Sequence, residues 1–407
     1  MKIGVITDWT SQNNYGQIMQ CWALQYVLKK LNHEPYLIRF LRFDWTKVSP
    51  RKYSTYEIIL RFVKQFIKLI LVYPALKTYK RKKRIRQNIE IERQKNEYLY
   101  KMDKERKFSD FIIKHIKLSS IIYPNYENLL INPPSADAYV TGSDQVWNYD
   151  IHFSETQAFF LQFGESTVKR IAYAPSIGHD SWPEERKEEL IHYLSTFDAI
   201  SLREQSGVNI CKQVGFNATH VLDPTMLLTK DDYSILLKET ENMNIDMSNH
   251  YIYIYSLNYL SAQDIDFENI KNYAKEKHLD IKVTPSTGYN IGSELFDDVE
   301  YVYATIPQWI QYIAASELVV TASFHGIVFS ILYHKNFIFT PLKGEYSHGN
   351  ARVLELLQNL GLQNFIEDSN KGIQEYIMYK VDWDIVDEKL KKMRKSSYSF
   401  LINALKK

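Results

Sequence analysis

Short apolar segments that run directly into small polar loops recur along this chain, and they constrain the fold more than any other feature. Residues 318–322 (LVVTA) form a predicted buried strand, and a helix is predicted from about Gly326 to Tyr333. Strands that alternate with helices in this way are typical of a parallel sheet with helices on both faces. Because ligands bind at the carboxyl edge of such sheets, Ser323 and His325 in the intervening loop are predicted to lie at a ligand site.

The chain begins with the same pattern. A strand is predicted at residues 2–7, a helix from Ile18 to Leu31 and a second strand at 34–40, which together make a βαβ unit. Asn14 and Gly16 lie in the polar loop between the first strand and the helix. Two interpretations of them stay open: they bind an anion or a sugar hydroxyl, or they form a helix cap and a tight turn. The loop has no GxGxxG, so a dinucleotide is not indicated.

Three later strands end in polar residues of the same kind. The strand at 136–141 is followed by Ser143, Asp144 and Gln145, which are predicted to bind substrate because Asp and Gln side chains suit hydroxyl groups. Arg203 follows the strand at 197–202, where a guanidinium can hold a phosphate or carboxylate through two hydrogen bonds. The alternative for Arg203 is a pair with Glu204 or a surface charge. Asp223 follows a similar segment at 219–222.

The length of 407 residues exceeds what one ordinary core accommodates. A polar stretch at 226–250 is the predicted boundary. The sequence therefore predicts an α/β fold with two Rossmann-like domains facing across a cleft, at 1–240 and 250–370. A final helix at 380–407 is expected to pack back on the first domain.

Residues 41–130 are predicted to be a helical insertion with a strong basic character. Residues 58–89 hold ten Lys or Arg and no Asp or Glu, which is more than the whole net charge of +2. One interpretation is an amphipathic segment, 56–86, that contacts an anionic membrane surface or an anionic lipid-linked substrate. The other is a helix with a solvated basic face. No stacking or groove-reading motif accompanies the charge, so nucleic acid is not an expected partner.

The composition and the absence of certain motifs argue against several classes of protein. Cys21 and Cys211 fall in apolar helical patterns and are expected to be buried thiols of a cytosolic protein. Neither a signal peptide nor a membrane span is recognisable. No HExxH, Cys/His cluster, P-loop or GxSxG is present, so no metal or cofactor is expected. The Asp-x-Asp triplets at 264–266 and 382–384 precede predicted helices and are interpreted as N-caps, although the first also hints at a metal-using glycosyltransferase.

His325 is the strongest candidate for catalysis. An imidazole titrates near neutral pH, so it can accept and return a proton within one reaction cycle. The histidine follows a strand of apolar or small residues and precedes a helix, at the edge where ligands bind. We therefore predict that it is the acid/base of a transferase acting on an anionic donor.

Five collinear motifs give the chain a family resemblance. They are NNYG at 13–16, GSDQVWN at 142–148, SLRE at 201–204, VLDPT at 221–225 and TASFHG at 321–326. With them the chain resembles the polysaccharide pyruvyl transferase family, from residue 3 to about 360 apart from the basic insertion. The resemblance implies the fold of two-domain (GT-B-like) glycosyltransferases and a cytoplasmic role in surface polysaccharide assembly at the inner membrane face.

The resemblance also implies a reaction. The pyruvyl group of phosphoenolpyruvate would pass to two hydroxyls of one sugar, carried on a lipid-linked oligosaccharide, to give a cyclic ketal and phosphate. His325 would act as acid or base, Arg203 would hold the phosphate or carboxylate, and Asn14 would lie at the floor of the cleft. Asp144 or Gln145 would approach the sugar. Two alternatives remain: a nucleotide-sugar glycosyltransferase of similar fold, and a non-catalytic sugar-binding protein of an assembly complex.

One position departs from the family pattern. Some members carry an arginine two residues before the histidine, and here that residue is Ser323. A second anion clamp is therefore expected from another part of the chain, and Lys343 and Arg352 are the predicted sources.

Overall fold

The computed structural model describes residues 1–11, 13–41, 104–150, 156–240, 250–286 and 294–406. Most of the predicted basic insertion, including 56–86, lies outside these ranges, as do residues 241–249 of the predicted boundary at 226–250. No helix within them combines the length and the apolar character that a membrane crossing needs.

Two parallel sheets organise the described residues. The first contains seven strands in the order β3-β2-β1-β4-β5-β6-β7, and the second contains five in the order β10-β9-β8-β11-β12. All their neighbouring strands pair in parallel. The predicted fold class, α/β with two Rossmann-like parts, is confirmed.

The strands of the first sheet are β1 (Lys2–Ile6), β2 (Glu34–Phe40), β3 (Leu118–Tyr123), β4 (Ala138–Thr141), β5 (Lys169–Ala172), β6 (Ala199–Leu202) and β7 (Thr219–His220). Those of the second are β8 (Tyr251–Leu257), β9 (Asp280–Ser286), β10 (Glu300–Tyr301), β11 (Leu318–Thr321) and β12 (Phe337–Phe339). Central strands such as β4 and β11 are buried at every position. This burial explains why they read as continuous apolar or small runs rather than as alternating patterns.

The α-helices of the described ranges up to residue 240 include α1 (Tyr15–Lys30), α2 (Phe108–His115), α3 (Tyr126–Ile131), α4 (Thr156–Phe159), α5 (Lys187–Leu194), α6 (Gln205–Gln213), α7 (Pro224–Leu227) and α8 (Lys230–Leu237). Those after residue 250 are α9 (Phe267–Lys277), α10 (Ile306–Ala315), α11 (Phe324–Leu332), α12 (Asn350–Leu360), α13 (Ile373–Met378) and α14 (Trp383–Ala404).

Part of the predicted insertion belongs to the first sheet. Residues 118–123 form β3, which pairs with β2 through Leu37 and Leu118. The strand has a mixed pattern, with Ile121 and Ile122 exposed at the sheet edge. Because an edge strand has a neighbour on one side only, it lacks the continuous apolar run of a central strand, and the sequence analysis wrongly placed it in a helical segment.

Helix α1 joins the two sheets. Twelve of its sixteen residues are buried, including Trp22 and Leu24. One face packs on the first sheet and the other contacts α7 and α11. The buried cluster around it is continuous from Val5 in β1 to Val320 in β11. A helix that is apolar all round is expected where it is enclosed on all sides, and here its enclosure fixes one half of the structure against the other.

The last helix, α14, contacts both halves. Ser397 accepts a hydrogen bond from the Leu222 N–H at 3.0 Å, and Arg394 donates to the Met226 carbonyl at 2.7 Å. Lys389 donates to the Leu360 carbonyl at 2.9 Å.

We expect Gly361→Ala to destabilise the protein by about 1 kcal/mol, because Gly361 ends α12 with a φ of +79°, where an L side chain is strained. The matched control is Gly349→Ala, since Gly349 has a φ of −66° and its nearest neighbour would lie 3.7 Å from the added Cβ. Urea unfolding measures both variants. If Gly361→Ala and Gly349→Ala were equally stable, the left-handed backbone at the end of α12 would not require glycine.

Candidate active site

The strand order reverses at one point in each sheet. In the first sheet the reversal lies between β1 and β4, and in the second it lies between β8 and β11. Ligands of open α/β sheets bind outside the carboxyl ends of the strands at such points. Ser143 follows β4 and His325 follows β11, so each predicted site residue stands at the reversal point of its own sheet.

The loop after β11 holds His325 in place. Ser323 is the N-cap of α11, and its hydroxyl accepts a hydrogen bond from the Gly326 N–H at 3.3 Å. The Ser323 N–H in turn donates to the Thr321 hydroxyl at 3.0 Å. His325 is the second residue of the helix, and its side chain is 8% exposed. The structure therefore gives Ser323 a capping role, and substrate binding by this residue stays a prediction.

The first turn of α1 lies directly against the imidazole. A Cβ at Gly16 would lie 2.1 Å from His325 Nδ1 and 2.4 Å from Cγ, far inside any van der Waals contact. Glycine at this position thus allows backbone and ring to meet. Asn14 caps the same helix, accepting from the Gln17 N–H at 3.2 Å. The helix-cap interpretation of Asn14 is what the structure shows, and ligand binding there is a prediction that stands beside it.

Asp223 connects the histidine to the first sheet. Its carboxylate is fully buried, and His325 Nε2 lies 3.6 Å from Oδ2. The same oxygen accepts from Ser143 Oγ at 2.7 Å and from Arg203 Nη1 at 2.9 Å. The other oxygen accepts from the Thr225 N–H at 2.9 Å and hydroxyl at 2.6 Å. One carboxylate therefore orders His325, Arg203 and Ser143 together.

The electrostatics of this cluster favour a charged carboxylate. Burial alone would raise the pKa of Asp223, but His325, Arg203 and Thr225 outweigh burial and hold that pKa well below its usual range. Burial likewise opposes the charge on Arg203, and Asp223, Glu204 and Asp144 nevertheless raise the pKa of the guanidinium. The pair is thus ionised at neutral pH.

Arg203 has hydrogen-bonding capacity that the protein leaves unused. Its side chain is 2% exposed, and Nε and Nη2 are buried without a hydrogen-bond partner. Glu204 Oε2 is 3.9 Å from Nε, beyond hydrogen-bond distance, because Glu204 Oε1 accepts from the Ile177 N–H at 2.8 Å. The guanidinium lies 4.7 Å from the centre of the Phe324 ring. Arg203 is therefore neither a surface charge nor primarily a partner of Glu204.

Arg352 approaches the same place from α12. Its guanidinium is 5.8 Å from the Phe324 ring centre, and its Nε is buried without a hydrogen-bond partner. Burial and the neighbouring Arg203 lower the pKa of Arg352 to about 10, so both arginines are cations at neutral pH. With its oxygen facing Arg352, the Gln145 amide accepts from Nη1 at 2.7 Å. Asp144, in the left-handed conformation at φ +76°, contributes negative charge nearby.

The space between the two arginines is small. A cavity of about 20 Å³ is lined by Arg203, Asp223, Phe324 and Arg352 among others. That volume holds about one water molecule. A larger cavity of about 700 Å³ is lined by residues such as Gly164 and Thr196, which precede β5 and β6 and so lie at the opposite edge of the sheet. An organic anion at the arginines therefore requires side chains to move.

Eight of the ten predicted site residues lie in or beside this cluster, while Asn14 caps the helix next to it and Lys343 lies elsewhere. Lys343 lines a separate cavity with Tyr259 and Asp264. The sequence analysis missed the contributions of Thr225 and Phe324. Phe324 lies between the predicted residues Ser323 and His325, and Thr225 lies two residues after Asp223, so both fall within the quoted motifs TASFHG and VLDPT.

The sequence also singled out two thiols and two Asp-x-Asp triplets. Cys21 and Cys211 are buried free thiols, as expected, and burial raises the pKa of each to about 12. Asp382 caps α14 by accepting from the Ile385 N–H at 3.2 Å, as predicted. In the other triplet, Asp266 precedes α9 without a side-chain capping hydrogen bond, and Asp264 accepts from the Leu260 N–H at 2.6 Å. Across the described ranges, no three or more His, Cys, Asp or Glu side chains gather as a metal site requires.

One protein family and several solved structures are similar to this chain. The family model for polysaccharide pyruvyl transferase matches residues 14–342. A comparison with curated proteins finds no significant match.

Similar solved structures include two epimerases and one glucosyltransferase. The UDP-GlcNAc 2-epimerase from Neisseria meningitidis bound to UDP-GlcNAc is 11% identical, with a TM-score of 0.41 over 96% of this chain and 100% of that one. The Methanocaldococcus jannaschii UDP-GlcNAc 2-epimerase in complex with UDP-GlcNAc and UDP is 12% identical, with a TM-score of 0.44 over 97% and 94%. An alpha-glucosyltransferase in complex with UDP is 8% identical, with a TM-score of 0.44 over 98% and 96%.

We expect Gly16→Ala to displace the His325 ring and to destabilise the protein by about 1 to 3 kcal/mol, the usual cost of overpacking a closed site. The rate of His325 modification by diethyl pyrocarbonate, located by mass spectrometry, should change, and urea unfolding gives the stability. Gly349→Ala is the control. A variant with wild-type reactivity and stability would show that the backbone of α1 does not hold the ring.

Asp223→Asn should cost about 3 to 5 kcal/mol at neutral pH, because it leaves the buried Arg203 without its carboxylate. The exposed Glu388→Gln, which breaks a surface pair with Lys391, should cost less than about 1 kcal/mol.

The loss of unfolding free energy in Asp223→Asn should depend on pH in one direction. The pKa of Asp223 is depressed in the folded chain, so the unfolded chain takes up the proton first as the pH falls. The gap between wild type and Asp223→Asn in unfolding free energy should therefore be constant from about pH 5 to 8 and shrink below about pH 4. A gap that widens on acidification would contradict the assignment.

Proposed function

Because the chain belongs to the polysaccharide pyruvyl transferase family, we propose that it transfers the pyruvyl group of phosphoenolpyruvate to two hydroxyls of one sugar, forming a cyclic ketal. The observation that supports this most is the meeting of His325 and Arg203 on Asp223. An acid/base group and a cation with unused N–H donors stand side by side in a buried setting. A reaction that moves protons and expels phosphate needs both.

The two arginines are the proposed anion clamp. Arg203 Nε and Nη2 and Arg352 Nε are buried donors without partners, and a phosphate or carboxylate oxygen would satisfy them. Arg352 thereby takes the place of the arginine that some family members carry at the position of Ser323. Since the cavity there holds about one water, the donor anion enters with a shift of Arg352, which is less buried than Arg203.

The proposed chemistry begins at the double bond of the donor. A proton adds to the methylene carbon, and C2 takes on oxocarbenium character. A sugar hydroxyl adds to C2 and loses its proton, and the C2–O bond to phosphate breaks. A second hydroxyl of the same sugar then adds to C2, and its proton leaves with the phosphate. His325 serves as the acid toward carbon or as the base toward the attacking hydroxyl.

Asp223 positions the histidine in this scheme. The buried carboxylate lies 3.6 Å from Nε2, and Nε2 has no hydrogen-bond partner among the described residues. Nδ1 lies against Gly16, at the junction of the two sheets. This arrangement favours one orientation of the imidazole ring. Because the ring is already ordered, little conformational entropy is lost there when substrate binds.

The acceptor is a polysaccharide or its precursor, as the family implies. We propose that Asp144, Gln145 and Asn14 approach its sugar hydroxyls and that it is a lipid-linked oligosaccharide met at the inner face of the membrane. The proposed contact of 56–86 with the membrane concerns residues outside the described ranges. The clamp is built from arginines, and the proposal requires no metal or cofactor beyond phosphoenolpyruvate.

Phosphate release from phosphoenolpyruvate, measured with and without galactoside or mannoside acceptors, tests this function. We expect acceptor-dependent release that survives EDTA and falls at least about a hundredfold in His325→Ala, the usual scale of acid/base catalysis. Arg352→Ala should chiefly raise the KM for phosphoenolpyruvate. Lys275→Ala, at an exposed lysine on α9, is the control.

Other outcomes separate the alternatives. Turnover of a nucleotide sugar without phosphate release from phosphoenolpyruvate would show a glycosyltransferase. Sugar binding without turnover of either donor would show a non-catalytic member of an assembly complex. Full activity in His325→Ala would overturn the assigned role of the histidine.

A further inference from the structure

The cavity that Lys343 lines lies at the carboxyl edge of the second sheet. Its volume is about 220 Å³, and it is lined by residues that follow β8 and β12. They are Asn258, Tyr259, Leu260, Asp264, and residues 341–344, which include Lys343. Strand β11, which leads into His325, lies between β8 and β12. The cavity is therefore beside the proposed reaction site and not part of it.

The wall between the cavity and the histidine loop is ordered by Tyr259. Its ring is 1% exposed, and its hydroxyl contacts Thr340 Oγ1 at the end of β12. Burial raises the pKa of that hydroxyl, and Thr340 and the nearby backbone of Ala322, three residues before His325, partly offset the rise. Neighbouring parallel strands lie about 4.8 Å apart. The cavity is thus close enough to His325 for two adjoining parts of one ligand.

The charges around the cavity argue against an anion. Lys343 is the cation in its lining, and the Asp264 carboxylate lies in the same wall. Glu367 and Asp266 stand close by: the Asp266 N–H donates to Glu367 Oε1 at 3.2 Å. Burial raises the pKa of Glu367, and Lys343 pulls it back toward the charged form. One lysine among three carboxyl groups does not make an anion clamp.

The lining does suit a neutral, hydroxyl-rich ligand. Carboxylate oxygens accept hydrogen bonds from hydroxyls, and the Lys343 ammonium and the Asn258 amide donate them. Leu260, Pro341 and Leu342 supply apolar surface for the C–H face of a ring. The volume is below the roughly 300 to 1,000 Å³ of clefts that hold drug-sized ligands, which fits a single sugar ring.

We propose that this cavity binds a neutral sugar unit of the acceptor, adjoining the unit that is pyruvylated; the assignment rests on the function proposed above. Lys343 is then a residue of acceptor recognition and not a clamp for the donor. A saccharide acceptor is a chain, and a subsite beside the reaction site lets the enzyme select an oligosaccharide over a single sugar.

The test compares two substitutions at exposed apolar residues. Leu260→Arg places a long side chain at the cavity, whereas Ile385→Arg makes the same change on α14; Leu260 is 60% exposed and Ile385 55%, so both variants should fold. Binding is measured by saturation-transfer NMR and titration with p-nitrophenyl mono- and disaccharides of galactose, glucose, mannose and N-acetylglucosamine.

We expect wild type and Ile385→Arg to bind at least one neutral disaccharide more tightly than its monosaccharide, and Leu260→Arg to lose at least tenfold in that affinity. Asn258→Ala should weaken it severalfold. The KM for phosphoenolpyruvate should be unchanged in Ile385→Arg. Equal disaccharide binding by Leu260→Arg and wild type, or no binding of any neutral saccharide by wild type, would overturn the proposal.

Because binding is measured directly, the two proposals fail separately. A wild-type protein that binds disaccharides through this cavity but releases no phosphate from phosphoenolpyruvate would retain the subsite and lose the pyruvyl-transfer reaction. Phosphate release, together with a disaccharide affinity that Leu260→Arg leaves unchanged, would support the pyruvyl-transfer reaction and rule out the subsite.

Discussion

The buried carboxylate of Asp223 is the constraint on which the candidate site depends. A carboxylate without exposure is tolerated only when its charge is compensated and its oxygens are hydrogen bonded. Here an arginine, a serine and a threonine from the first sheet meet that requirement, and a histidine from the second approaches on the remaining side. The condition that makes Asp223 stable therefore also brings together groups from both halves of the chain.

Arg203 is also buried, but the protein does not satisfy all of its hydrogen-bond donors. Its pairing with Asp223 uses Nη1, and two further nitrogens stay unsatisfied in the interior. Leaving buried donors unpaired costs stability, so such groups concentrate at sites whose partner is a ligand. Arg352 shares this property and adds a second positive charge. In the proposed function, the donor anion would supply the hydrogen bonds that these nitrogens lack.

Much of this arrangement is accessible from sequence because local patterns dictate it. Central strands such as β4 and β11 are buried on both faces, and their apolar runs identify them; the loops that follow them then place Ser143 and His325 at one edge. What local patterns do not encode is tertiary pairing. The edge strand β3 has no clear pattern, the dependence of His325 on Gly16 joins residues more than 300 positions apart, and Lys343 follows β12 on the same edge yet lines another cavity.

The contact between Gly16 and His325 has a consequence for motion. The ring and the first turn of α1 touch without any intervening side chain, and Tyr15 beside them donates a hydrogen bond to the Ala304 carbonyl at 2.6 Å. A hinge movement that parted the sheets would withdraw the imidazole from Asp223 and from its backbone support at once. An opening of that kind would therefore remove the histidine from its reactive position until the sheets closed again, whereas the shift of Arg352 proposed for donor entry leaves this contact in place.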